Sequence, residues 1–105
     1  MRVERALRIE RTLRMERTWN VQEVAWFVSV ARGVDNPVTL EYRTSTANGK
    51  GLLGVVSLMM NVKAGEAVRL VVTGSGSSDA IRVLVDQLPV GVVVEPSASE
   101  KSILL

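Results

Sequence analysis

The chain has 105 residues, 47% of them apolar and 23% charged, which is the length of one domain and a composition that buries a core, so disorder of the whole is excluded. It contains no Cys and no His, which removes disulfides, thiolate nucleophiles, histidine bases and ordinary zinc sites. The formal net charge of +2 is uneven, with six Arg against three Glu in residues 1–20 and seven Lys+Arg against eight Asp+Glu in the rest.

The N-terminus repeats a six-residue unit three times without a gap: Arg2 to Leu7, Arg8 to Leu13 and Arg14 to Trp19. On a helix each step of six turns the face by about 240°, which scatters the apolar positions. Six is a multiple of two, so on a strand Val3, Leu7, Ile9, Leu13, Met15 and Trp19 share one face with Arg5, Arg11 and Arg17. A long first strand is expected. Asn20 followed by Glu23 has capping-box spacing, and Val24, Phe27, Val28 and Ala31 recur at helical intervals, which predicts a helix over Val21–Arg32 closed by Gly33 in the left-handed region.

After Asp35-Asn36-Pro37, Val38–Tyr42 alternates as a strand, and Thr44–Gly49 is turn-rich with room for a short strand. Leu52–Met60 fits a buried strand or a short apolar helix equally well on periodicity alone. Ala67–Thr73 alternates again, and Ile81, Leu84, Val85 and Leu88 predict a last helix capped by Ser77, Ser78 or Asp79 and stopped by Pro89. Val90–Glu95 reads as a short extra strand. Strands and helices mixed without strict alternation predict an α+β layer, with helices on one face of an antiparallel sheet.

The run Ala47-Asn48-Gly49-Lys50-Gly51-Leu52-Leu53-Gly54-Val55-Val56-Ser57-Leu58 resembles the HPr family, the phosphocarrier protein of the bacterial sugar phosphotransferase system. The family pattern there is Asn-Ala-Lys-Ser, two aliphatics, Gly, two aliphatics, Ser-Leu. The resemblance makes Leu52–Met60 a helix and implies an HPr-like open-faced sandwich, with helices packed on one face of an antiparallel four-stranded sheet whose first strand lies at an edge. It extends over roughly residues 7–88, leaving 1–6 as an N-terminal extension of the first strand and 89–105 as a C-terminal extension or tail.

Counting back without a gap sets Asn20 at the family's active-site histidine, Gln22 at its arginine and Glu23 at its proline, and Gly51 falls at the regulatory serine. A carboxamide nitrogen is not a nucleophile at neutral pH, and Gly51 has no hydroxyl to accept a phosphate. The expectation is a non-catalytic protein, a regulatory or protein-binding module, that cannot act as a phosphohistidine carrier. In the resemblance the partner surface combines the loop before the first helix with the apolar side of the second, here Leu52, Leu53 and Val56. A homo-dimer through the long first strand is expected; the alternative functions are an assembly protein using that strand and a weak nucleic-acid binder using the Arg-rich repeat.

Glutamates set among those arginines weaken the nucleic-acid reading. The acidic residues are scattered with no histidine to complete a ligand set, so neither metal nor cofactor is expected. Leu52–Met60, broken by Gly54 and Ser57, is far shorter than the roughly 20 residues of a membrane helix. No apolar leader follows Met1, and a cytoplasmic location is expected.

Overall fold

A computed structural model describes residues 7–95; the expected extension 1–6, including Val3 and Arg5 of the first repeat unit, and the tail from residue 96 lie outside the described residues. The elements run β1 (Arg8–Met15), α1 (Val21–Arg32), β2 (Val38–Tyr42), β3 (Ser45–Asn48), α2 (Leu52–Met59), β4 (Ala67–Thr73), α3 (Ser77–Asp86) and β5 (Val92–Glu95). All strand pairs are antiparallel, in the order β3-β2-β4-β1-β5. The three helices cover one face.

Strand alternation divides the sheet. Leu13 and Met15 of β1, Val38 and Leu40 of β2, and Val68, Leu70 and Val72 of β4 are buried beneath Val24, Phe27 and Val28 of α1, Val55, Leu58 and Met59 of α2, and Ile81 and Leu84 of α3. The opposite face carries an ionic lattice: Arg8 pairs with Glu10 at 2.8 Å and Glu41 at 3.7 Å, and Arg69 pairs with Glu41 at 2.8 Å and Glu10 at 3.7 Å. Val71, on this polar face by register, is 2% exposed among them. Within β1 the hexamer repeat thus gives Ile9, Leu13 and Met15, with Arg11, to the helix side and Arg8, Glu10 and Arg14 to the other.

The sheet has five strands and not four. β5 pairs with β1 from Thr12↔Glu95 to Met15↔Val92, so the first strand is not at the edge over those residues. Arg14 fastens the added strand through Glu95 at 2.6 Å. β1 also stops at Met15, and Trp19 reaches the core from the connecting loop, its ring 5.2 Å from that of Phe27 and tilted 37° to it. Glu16 N–H donates to Gly91 O at 2.9 Å, one step beyond Arg14 opposite Val93 in the same register.

Two helix ends differ from expectation. Gly33 ends α1 in a right-handed conformation (φ −79°), because its N–H still bonds back to Val30 O and Ala31 O. The residue before α3 is Gly76 in the left-handed region (φ 80°), with no side-chain cap, and Ser77 is the first helical residue, buried with its Oγ lacking a hydrogen-bond partner. The tight Gly74–Gly76 turn, with both glycines at positive φ, sets the helix start one residue earlier than a serine cap would.

Candidate functional site

The N-terminus of α1 is built by local chemistry. Asn20 Oδ1 accepts from Glu23 N–H at 2.8 Å, and Glu23 Oε1 accepts from Asn20 N–H at 2.9 Å, a complete capping box. Arg17, in the loop after β1, closes a two-point clamp on the same carboxylate, Nη1 to Oε1 at 2.8 Å and Nη2 to Oε2 at 2.6 Å. The Arg17 guanidinium, then the Asn20 N–H, hold the Glu23 carboxyl at about 2, far below its ordinary 4.5. The anion-attracting end of the helix is therefore already occupied by an anion of the chain's own.

Beside it, the loop is tied to α2 by Thr18 Oγ1 donating to Met59 O at 2.6 Å. An apolar groove opens there between the start of α1 and the end of α2, lined by Trp19, Val21, Val24, Val56, Met59 and Met60. Trp19 is 4% exposed and its Nε1–H has no hydrogen-bond partner. On the groove's rim Val21 is 63% and Met60 79% exposed, and Leu53 on α2 is 81% exposed. The side chains of α2 are all uncharged.

Of the residues singled out in the sequence, Asn20 and Val56 both line this groove, whereas Gln22, Gly51, Leu52 and Leu53 do not. Gln22 and Glu23 line a second cleft with Trp26, Pro89 and Val90. Gly51 is the N-cap of α2, extended at φ −109°, with no side-chain hydrogen bond. Leu52 and Leu53 face solvent, and Val56 is half-buried against the core.

Sequence reasoning missed three participants. The period-two pattern of the repeat puts Arg17 on the strand, whereas its clamp depends on β1 stopping at Met15. Met60 stands at the end of the apolar run with no mark that separates it from buried Met59. Trp26, 51% exposed and donating Nε1–H to Gln87 O at 2.6 Å, sits off the apolar positions Val24, Phe27 and Val28, a signal that was legible.

The family model for the HPr component of the phosphotransferase system, described by its phosphorylation site, matches residues 9–89. The chain belongs to the HPr family. No curated protein sequence matches it. An HPr dimer from Thermoanaerobacter tengcongensis is 31% identical, covering 62% of this chain and 72% of its own, with a TM-score of 0.56. The phosphocarrier HPr of Bacillus anthracis shares the fold at 19% identity, covering 82% of this chain and all of its own, TM-score 0.64. Crh of Bacillus subtilis, a catabolite-repression protein described as a domain-swapped dimer, is 22% identical over 85% of this chain and 95% of its own, TM-score 0.57. HPr proteins are phosphocarriers and not enzymes, and this member of the family contains no histidine.

Proposed function

We propose that this HPr-family chain is a protein-binding module that does not carry phosphate, and that it engages its partner through α2 and the start of α1. The observation that supports this most is the clamped Glu23. Its carboxylate takes up the Asn20 N–H and the Arg17 guanidinium at the start of α1, and it repels a second anion there. Asn20, at the position matching the family's histidine, is committed to capping and offers no nucleophilic nitrogen. Gln22 supplies no cationic fork for a phosphoryl group. What stays available is the groove with exposed Val21 and Met60 at its rim, and exposed Leu53 on α2, apolar side chains of the kind that mark contact surfaces.

Incubation with phosphoenolpyruvate and the general kinase of the pathway, read by intact mass, is expected to leave the mass unchanged. The same result is expected for Asn20→His, because Arg17 and Glu23 still fill the site. A stoichiometric phosphate adduct on the native chain would overturn the reading.

Assembly is the second reading. Two relatives are described as dimers, one of them by domain swapping, and among the described residues β5 covers only part of β1. In this reading the chain self-associates through the uncovered part of β1.

A further inference from the structure

The cleft lined by Asn20, Gln22, Glu23, Trp26, Pro89 and Val90 shares only Asn20 with the Trp19 groove and measures about 330 Å³, room for a small ligand. Both of its walls are fixed. Gln22 and Trp26 are neighbours one turn apart on α1, and Trp26 Nε1–H donates to Gln87 O at 2.6 Å, so the indole is held although the residue is 51% exposed. Across the cleft, Pro89 and Val90 lead into Gly91 at φ 85°, whose O accepts from Glu16 N–H at 2.9 Å. An indole held open in this way is a flat apolar platform that loses little freedom when a ligand settles on it.

The polar groups beside the platform are only partly used. Asn20 Oδ1 accepts from Glu23 N–H, but among the described residues neither Asn20 Nδ2 nor the Gln22 carboxamide makes a hydrogen bond. Glu23 Oε1 already has two donors, Asn20 N–H and Arg17 Nη1, whereas Oε2 has Arg17 Nη2 alone among the described residues and keeps one acceptor position. An anion finds no cation among the lining residues, and a cation gains little from a carboxylate that Arg17 already balances. A nucleobase, flat and apolar on both faces, is best held between two rings, and Trp26 is the one ring lining the cleft. The ligand that fits is neutral, with C–H groups on one face and hydroxyls around its rim. We propose that this cleft binds a sugar, a pyranose ring stacked by its C–H face on Trp26 and hydrogen-bonded through its hydroxyls to Gln22, Asn20 and Glu23. The hydroxyls donate to Gln22 Oε1 and Glu23 Oε2 and accept from the two carboxamide nitrogens, so each open position in the cleft is satisfied by one kind of group.

Nuclear magnetic resonance titration of the isotope-labelled full chain with glucose, galactose, N-acetylglucosamine and maltose tests the proposal. At millimolar sugar the Trp26 indole N–H and the Gln22 carboxamide resonances are expected to shift while the Trp19 indole N–H stays in place. Trp26→Ala is expected to weaken binding by about tenfold. Gln22→Ala, which leaves the platform standing, is expected to weaken it by about fivefold with the remaining spectrum unchanged, and it decides the matter should the tryptophan variant fail to fold. Absence of shifts with all four sugars, or shifts that both variants leave unaltered, would overturn the proposal. So would stronger shifts of the same resonances with adenosine, which would assign the platform to a base.

Discussion

Glu23 answers to three donors at once, the Asn20 N–H and the two guanidinium nitrogens of Arg17. Its carboxyl is held at about 2 against an ordinary 4.5. Because the folded value is the lower one, the carboxylate's contribution to stability is complete above about pH 5 and is lost as pH falls toward 2. Thermal melts of the native chain are expected to fall through that window more steeply than melts of Glu23→Gln. At neutral pH the same variant should be less stable by about 1 kcal/mol, the usual value of a helix cap. Parallel pH profiles for the two proteins would show that the clamp does not contribute.

Among the elements, α2 separates surface from core within eight residues. Leu53→Glu is expected to leave the melting temperature close to that of the native chain and to abolish partner binding, read by the change in Trp19 and Trp26 fluorescence. Leu58→Ala, by contrast, opens a cavity in the core and should destabilise by about 2–5 kcal/mol. The approach to α2 is set by Gly49, whose N–H donates to Val38 O at 2.7 Å and whose added Cβ would fall 2.6 Å from Val38 Cγ1. Gly49→Ala is therefore expected to cost about 1–3 kcal/mol in urea unfolding, since β2 cannot move away without breaking its pairing with β4. These elements were legible to different depths. The bounds of α1 coincide with the expected Val21–Arg32 because Asn20, Glu23 and the Val24-to-Ala31 spacing are all local. Val90–Glu95 was readable as extended chain, but its place beside β1 rests on Arg14 meeting Glu95 across the sheet, and no local pattern encodes that. For the same reason Asn20 could be recognised as a cap while the Arg17 clamp could not.

At the scale of the whole molecule, three of the described arginines of the repeat are matched by acids. Arg8 meets Glu10 at 2.8 Å, Arg14 meets Glu95 at 2.6 Å and Arg17 meets Glu23 at 2.6 Å. Such pairs add little stability at a surface, but they cancel the field that would collect phosphates. No retention of DNA or RNA is expected in filter binding at physiological salt, and affinity that falls steeply with added salt would restore the nucleic-acid reading. The seating of β1 between β4 and β5 has another consequence, for biosynthesis. The strand that leaves the ribosome first pairs with Thr73 through Ala67 and with Glu95 through Val92, near the other end of the chain. At roughly 5–20 residues per second it waits on the order of seconds for its neighbours. Its alternating arginines keep the nascent segment soluble during that interval, and co-translational folding of this domain must finish from the C-terminal side.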